Sequence, residues 1–537
     1  MVQDLASGLA DAAEAKRLGA DLVEFRIDEV FHGEGDEEGE KVVLKLVAES
    51  VLPCIVTCRP TWEGGGYDGS ESARISLYEK LGTSGSPPRY IDVELAAYAR
   101  SANVRQKVDL AVDPRGRDRH SSLILSMHDF EGRPADLTRR VAAAWGEAKA
   151  SVVKVAFRAR SLRDNLELFE LLRESPKPMI ALGMGEFGLM SRVLAPKFGG
   201  FLTFASLRKE SVTAPGQPTV GELLGMYRFR KIGRQTRVYG VIGWPVGHSM
   251  SPLVHNAGFE AVGHNGVYLP LPVAAVEGDE EANEASFKAT VSSLLLDERL
   301  NFEGASITMP FKGCAARMSW RGLNKGCDFV YDQLPGRRGF VEQTGAANTF
   351  GVDWNEDRLG VLRNSDAEAV LALFPMLDDG TYGKLVVVGT GGVARAAVAA
   401  ALASSFDFID VVGRSKERAL ALTNTIGIGS ASEIERLRQT RADVYINCTP
   451  IGMAGGPDPK GMSIPVDEIR PAPETVFFDT VYNPIETPML KAARRWGCRT
   501  IDGVEMFVRQ AALQFELWTG KAAPVELFDR LVRERLS

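Results

Sequence analysis

The sequence predicts an α/β chain that opens with a (β/α)8 barrel whose first strand is missing. A further α/β domain and a Rossmann dinucleotide-binding domain follow. Three observations predict it. Short apolar, β-branched segments alternate with helix-length stretches through the first half, as in βα units around a parallel sheet. A second run of such segments starts at Val238. Further on, Lys384–Arg395 passes from a β-rich apolar run through glycines into a helix of alanines, the context a dinucleotide site requires. The 537 residues, 45% hydrophobic and 25% charged, suit a soluble protein of several domains. With 63 basic and 70 acidic side chains the net charge is −7, which argues against a nucleic-acid binder held by a positive field. Six cysteines are too few for a disulfide framework, and Cys54 and Cys58 lack histidines nearby. The expectation is reduced thiols and no metal site. No apolar run approaches the roughly 18 residues that span a bilayer.

In chain order, the strands of the first half are read at Leu22–Ile27, Cys54–Cys58, Tyr90–Leu95, Ser122–Met127, Val152–Phe157, Met179–Gly183 and Phe201–Leu207. These are seven of the eight a barrel needs. A helical stretch, Val2–Arg17, precedes them, so the eighth strand is expected upstream of Met1. Barrel chemistry sits at the C-terminal ends of the strands, and polar residues gather there. Glu24 and Arg26 alternate with apolar neighbours, Arg59 ends the next strand with Glu63 in the loop beyond, and His128 follows the fourth. Alone, Glu24, Arg26 and Arg59 read as a structural ion-pair network. Lys154, inside Val152–Phe157, is different. A lysine amid an apolar strand points into the barrel, where burial is expected to lower its pKa. A neutral amine forms Schiff bases with carbonyls, and a histidine ending the preceding strand moves protons beside such an imine.

The motifs Glu24-Phe-Arg26-Ile-Asp28, Arg59 with Glu63-Gly-Gly, Ser126-Met-His128-Asp-Phe130, Val153-Lys154-Val155, Met190-Ser-Arg192 and Ala214-Pro-Gly-Gln217 resemble type I 3-dehydroquinate dehydratase, in that family's order. The resemblance implies that Lys154 forms an imine with the substrate ketone. His128 would remove the acidified proton and later protonate the departing hydroxyl, with Glu63 orienting it. Arg192, Thr213 and Gln217, with Glu24, Arg26 and Arg59, would hold the substrate carboxylate and hydroxyls. Thr213 stands where the family commonly has serine.

Gly221–Ile232 is read as a helix running into a basic connector, with the domain boundary at 232/233 and a new strand at Val238–Ile242. The polar turn Gly243–Pro252, with Ser249 and Ser251, reads as a carboxylate cradle or a mere turn. Lys312, just past Thr308-Met-Pro310-Phe, reads by itself as a solvated loop charge. The glycines Gly389, Gly391 and Gly392 let a pyrophosphate approach a helix N-terminus. After the second strand, Phe408–Val412, an acidic residue would read the ribose of NAD. Arg414, Ser415, Lys416 and Arg418 stand there instead, the choice expected for the 2′-phosphate of NADP.

This half resembles shikimate dehydrogenase, through Gly345-Ala-Ala-Asn348-Thr349, Asn364-Ser-Asp366, Asn447-Cys-Thr-Pro450, Asp479-Thr-Val-Tyr482-Asn-Pro484 and Gly503-Val-Glu-Met506-Phe-Val-Arg-Gln510. The resemblance implies that Lys312 and Asp366 form the catalytic pair. It implies further that Ser249 and Ser251 bind the carboxylate, and that Thr308, Asn348, Asp366, Tyr482 and Gln510 contact hydroxyls. Val393 and Gly503 join the glycines at the cofactor. Where the family has glycines after its Asn-Thr-Asp, this chain reads Ala367-Glu368-Ala369. Two stretches, 277–284 and 317–340, are read as surface insertions.

Dehydratase followed by dehydrogenase is the order of the bifunctional enzymes of plants and some bacteria, and the join around Gly188–Gly200 is similar to theirs. The implied domains are 1–232, 233–365 completed by 510–537, and 366–509. The implied compartment is the cytoplasm, or a plastid for a plant chain. The implied partners are small-molecule substrates, with no nucleic acid and no membrane, and the sequence does not fix the oligomeric state. Two alternatives share these folds: a quinate-preferring dehydrogenase, whose substrate the hydroxyls of Ser251 and Thr308 would crowd, and a catalytically dead repressor of quinate use, which would lack Lys154, His128, Lys312 and Asp366.

Overall fold

Each strand of the first half pairs in parallel with the next one along the chain. β1 (Val23–Arg26), β2 (Cys54–Thr57), β3 (Tyr90–Glu94), β4 (Ser122–Asp129), β5 (Ala150–Arg158) and β6 (Met179–Met184) lie in that order, with helices between them. This singly wound order is that of a (β/α) barrel. The computed structural model describes the chain except residues 114, 117, 209–215, 319–328, 332–338, 353–359, 377–381, 405 and 427–428. It divides into two units, Met1–Thr236 and Arg237–Ser537.

The first helix runs Leu5–Leu18, starting three residues later than expected. Asp4 caps it by accepting from the Ser7 amide at 2.8 Å, and Gly19, at φ 97°, ends it. Strand side chains alternate faces with a period of two, which stacks the barrel interior in layers. The lowest is apolar: Leu22, Ile55, Tyr90, Ile124, Val152 and Ile180 belong to one cluster. Two residues further along those strands stand Glu24, Thr57, Asp92, Ser126, Lys154 and Leu182. Two further again come Arg26, Arg59, Glu94 and His128. Polarity thus rises toward the C-terminal ends of the strands.

Two expectations are corrected here. Phe201–Leu207 is not a strand. Phe201 donates to the Met179 carbonyl at 2.8 Å, but both backbone groups of Ser206 are taken by Pro218 and Val220, so no ladder with β6 develops. Gly221–Ile232 is not a continuous helix either. A π-turn at Glu222–Met226 gives way to a 3-10 turn at Phe229–Lys231, and Arg228 between them adopts φ 50°. The unit closes where buried Lys197 donates to the carbonyls of Arg234 and Thr236, both at 2.7 Å.

The second unit holds two sheets. β7 (Arg237–Gly243), β8 (Gly266–Pro272), β9 (Phe302–Ile307), β10 (Phe329–Tyr331), β11 (Thr349–Val352) and β12 (Gly360–Arg363) order as β10-β12-β11-β9-β7-β8, with β11 antiparallel to both neighbours. β13 (Tyr382–Val388), β14 (Phe406–Gly413), β15 (Ser430–Glu433), β16 (Val444–Asn447), β17 (Val476–Asp479) and β18 (Arg499–Ile501) form a parallel sheet ordered β15-β14-β13-β16-β17-β18. That is the doubly wound nucleotide-binding order. The last two helices, Gly503–Thr519 and Val525–Leu536, return to the first of these sheets, where Phe515, Trp518 and Phe528 pack with Tyr239 and Phe259.

The expected acidic insertion at 277–284 is a helix start. Asp279 caps Glu280–Leu296, and its first-turn glutamates face the positive end of the helix dipole. Much of 317–340 lies outside the described residues, but Phe329–Tyr331 adds an edge strand beside β12. Among the described residues, no helix is long and apolar enough to cross a membrane.

Candidate active sites

Lys154 stands on the inward face of β5 with a side chain 7% exposed. The sequence leads one to expect an uncompensated amine there, and the structure corrects this. Its Nζ donates to Asp92 Oδ2 at 2.9 Å, lies 3.6 Å from Glu24 Oε1, and sits 4.6 Å from the centre of the Phe204 ring. Asp92 is fully buried and also accepts from Arg59 and Ser126, at 2.7 and 2.6 Å. Burial opposes its charge, yet Arg59 and Lys154 outweigh that and hold its carboxyl well below the usual range.

Arg59 stands two residues past β2 and is itself buried. Its Nη1 reaches Glu94 at 2.7 Å, Ser126 at 2.9 Å and Glu63 at 3.3 Å. Asp92 and Glu94, shared with Lys154 and Arg74 respectively, lie closer to Arg59 than Glu63 does. Burial pushes Glu63 up to about 8; Arg59 pulls it down, while Glu94 and Asp92 add to the rise. Glu63 Oε2 lies 3.1 Å from His128 Nδ1. Burial, with Arg59 and Lys154 close by, holds His128 well below its ordinary value. The result is a neutral imidazole oriented by a carboxyl group, beside a lysine. The loop that carries Glu63 approaches so closely that a Cβ at Gly65 would sit 2.0 Å from the Arg59 carbonyl.

Other expected residues ring this centre. Glu24 accepts from Thr57 at 2.8 Å. Arg26 is committed to Asp28 through a two-point ion pair. Arg192, on the short helix Leu189–Val193, is a buried guanidinium with no ion pair among the described residues and no partner for its Nε. Burial alone lowers it to about 10. A buried, unmatched guanidinium is a site for a carboxylate. Gln217 is half-buried, and Thr213 lies outside the described residues. Asp92 and Glu94 belong to this cluster, and the sequence reading missed them. Their signal was the acid at alternate positions of Tyr90–Glu94.

In the second unit, Lys312 opens the helix Lys312–Arg317, anchored by Phe311, which is buried against Phe287. Its Nζ donates to Asp366 Oδ2 at 2.5 Å. Asn364 caps the helix Ser365–Leu373 by accepting from the Ala367 amide, which fixes Asp366 in the first turn. Asn348 Oδ1 accepts from the Ser365 amide at 2.7 Å, from Ser365 Oγ and from Thr349 Oγ1. Its amide is thereby turned so that Nδ2 is left to donate. Behind it, Gln514 bonds Thr349, Ser365 and Ser306, and Ser306 accepts from Tyr268 at 2.6 Å. This buried network was not assigned from sequence.

Ser251 begins the helix Ser251–Ala261, and its amide donates to Ser249 Oγ at 3.2 Å. Thr308 packs over Gly243, where a Cβ would meet its methyl at 2.2 Å. Tyr482 lies against Phe507, and Gln510 is half-buried one turn before Gln514. Gly503 is packed against the backbone of Val481 and Tyr482, at 2.4 Å from a built Cβ, so close packing is the role its geometry supports.

At the third sheet, Gly389 has φ 124°, a conformation that L side chains rarely adopt. A Cβ on Gly391 or Gly392 would meet nothing, leaving open space before the eleven-residue helix Gly392–Leu402, where Val393 is half-buried. Ser415 caps the next helix through the Arg418 amide at 3.3 Å. Arg414, Lys416 and Arg418 are exposed and form no salt bridge to another described residue. A cradle open to backbone approach, with unmatched cations after β14, fits a dinucleotide bearing a ribose phosphate.

Family profiles match along the chain: type I 3-dehydroquinase over residues 1–234, the shikimate dehydrogenase substrate-binding domain over 241–319, and the shikimate 5′-dehydrogenase C-terminal domain over 503–533. The chain is 35% identical to the chloroplastic bifunctional 3-dehydroquinate dehydratase/shikimate dehydrogenase of Arabidopsis thaliana, across 99% of this chain and 83% of that one. It is 33% identical to the NADP(+) shikimate dehydrogenase of Microcystis aeruginosa, across 55% of this chain and 96% of that one. A Thermus thermophilus shikimate 5-dehydrogenase structure with NADP(H) and shikimate aligns at 27% identity and a TM-score of 0.44, over 56% of this chain and 100% of that one. With a relative 35% identical across 99% of this chain and 83% of its own length, the chain belongs to the bifunctional 3-dehydroquinate dehydratase/shikimate dehydrogenase family.

Proposed function

We propose that the barrel unit dehydrates 3-dehydroquinate to 3-dehydroshikimate and that the second unit reduces this ketone to shikimate. The observation that carries the reading is Lys154, buried and ion-paired to Asp92 at 2.9 Å, with a neutral His128 held by Glu63 at 3.1 Å. Proton transfer from the ammonium to His128 frees the amine, which attacks the substrate ketone; His128 returns that proton to the carbinolamine hydroxyl, which leaves as water, giving the iminium and a neutral His128. His128 then takes the proton from the adjacent carbon and returns it to the departing hydroxyl, and water releases the enone and Lys154. Arg192 pairs with the substrate carboxylate, and Glu24, Arg26, Arg59, Thr213 and Gln217 hold its remaining polar groups.

In the second unit, Gly389, Gly391, Gly392 and Val393 hold the pyrophosphate of NADPH, and Arg414, Ser415, Lys416 and Arg418 hold its ribose phosphate. NADPH, when bound, supplies the hydride. Lys312 gives a proton to the developing alkoxide and Asp366 keeps it oriented. Ser249 and Ser251 receive the carboxylate, and Thr308, Asn348, Tyr482 and Gln510 the hydroxyls. Domains at 1–232, 233–365 with 510–537, and 366–509 carry these parts. The partners are small molecules, and the compartment is aqueous, the cytoplasm or a plastid. One coupled assay tests the whole reading: 3-dehydroquinate and NADPH, followed at the nicotinamide band. Steady NADPH consumption and accumulating shikimate are expected; no NADPH consumption from 3-dehydroquinate would sink the reading, and reduction of 3-dehydroshikimate alone would sink its first half.

A further inference from the structure

The departure Ala367-Glu368-Ala369 has a counterpart across the turn. Glu368 is the fourth residue of the helix Ser365–Leu373, and Arg363 ends β12. Arg363 Nε donates to Glu368 Oε1 at 2.9 Å, and its Nη2 meets Oε2, closing a two-point fork. Neither side chain is free in solvent: they are 29% and 14% exposed. The fork spans the corner Asn364–Asp366. Both flanks of that corner belong to the dehydrogenase site. The Arg363 carbonyl accepts from the Asn348 amide at 3.1 Å, and Asp366 holds Lys312. Ala367 and Ala369 are fully buried, so the helix start has little room in which to shift once the fork is closed.

We infer that the Arg363–Glu368 fork is a positioning clamp: it fastens the end of β12 to the first turn of the helix and so fixes Asp366, and through it Lys312, for proton transfer. The inference rests on the reading of Lys312 and Asp366 as the reacting pair. Arg363 and Glu368 are positioning residues, since neither reaches Lys312. A bidentate guanidinium–carboxylate pair gives directional as well as electrostatic restraint, and small displacements of a reacting group are costly.

The test is made on the full-length protein with Glu368→Ala, the volume-conserving Glu368→Gln, and Lys312→Ala. The dehydratase rate of the same chain gauges the amount of protein in every sample, and NADPH binding gauges the folding of the second unit. For Glu368→Ala, the dehydrogenase kcat should drop about tenfold to a hundredfold, as for a misplaced reacting group, with KM for shikimate moving less than kcat. The solvent isotope effect on kcat should rise, because proton transfer has become slower; Glu368→Gln, which keeps one hydrogen bond to Arg363, should lie between. A lower melting temperature with unchanged kcat and isotope effect would mean a merely structural pair and would overturn the clamp. Turnover lost in Lys312→Ala but intact in Glu368→Ala overturns the clamp alone, whereas turnover surviving in Lys312→Ala overturns the proton-transfer reading and the clamp with it.

Discussion

The two lysines at the centres of this chain live in opposite surroundings. Lys154 is 7% exposed and stands among Asp92, Glu24 and the Phe204 ring, with Arg59, Glu94, Glu63 and His128 one layer above. Lys312 is 20% exposed and has a single ionic partner within salt-bridge distance among the described residues, Asp366. The difference matches the tasks proposed for them. An amine that must lose its proton, become a covalent electron sink and be released again needs charges and a base arranged around it in advance. An amine that only passes a proton needs one orienting carboxylate and access to substrate.

Three variants break or sharpen that contrast. Removing Lys312 has the largest expected effect on the second unit: Lys312→Ala should lower the dehydrogenase kcat by about 10²–10⁴-fold, the range for loss of an acid–base group, while dehydratase turnover stays unchanged. Loss of both activities together would show that the two centres are not separate chemistries. Arg414→Ala comes next. Each charge-assisted hydrogen bond lost costs about 1.5–3 kcal/mol, so NADPH binding, followed by titration calorimetry, should weaken about tenfold to a hundredfold. NADH binding should hardly change. Equal losses for both nucleotides would assign Arg414 to the fold or to the adenine instead.

The smallest effect concerns pH and the barrel. Glu63 is raised to about 8 from an ordinary 4.5, so between these values the folded state keeps a proton that the unfolded chain releases. Its contribution to stability is therefore full below 4.5 and is lost as pH rises through about 8. His128, held below its ordinary 6.5, acts in the opposite sense, and its contribution is lost as pH falls below 6.5. Amide exchange in β3–β5 of the whole chain should quicken from pH 6.5 to 8, after correction for the intrinsic rate. Glu63→Gln, a permanent mimic of the neutral carboxyl, should flatten that rise. An unaltered slope in Glu63→Gln would mean that the carboxyl is ionised in the free enzyme.

What was readable in the sequence followed from side-chain period. Lys154 in the middle of Val152–Phe157 could only face inward, and Glu24 and Arg26 shared a face two residues apart. The same rule applied to Tyr90–Glu94 points Asp92 and Glu94 inward, yet an aspartate and a glutamate in a short strand carried no motif by themselves. Phe201–Leu207 has the apolar run of a strand; its hydrogen bonds go elsewhere because of the backbone of Pro218–Val220, and no local pattern encodes that. Arg192 was singled out through family resemblance, and its unmatched charge became visible only once the surrounding chain was folded. Lys312 read by itself as an ordinary loop lysine; the family resemblance paired it with Asp366, more than fifty positions on, and the fold brings the two to 2.5 Å. Glu368 stood out as a departure, but its partner Arg363 lay across a helix cap.

The contrast between the lysines rests on which of them becomes covalent. Full-length protein incubated with 3-dehydroquinate and borohydride, digested and mapped by mass spectrometry, tests this directly. A reduced adduct should appear on Lys154 and not on Lys312, and should form less readily in His128→Ala. An unmodified Lys154 in protein that still turns over, or an adduct on Lys312 instead, would contradict the account.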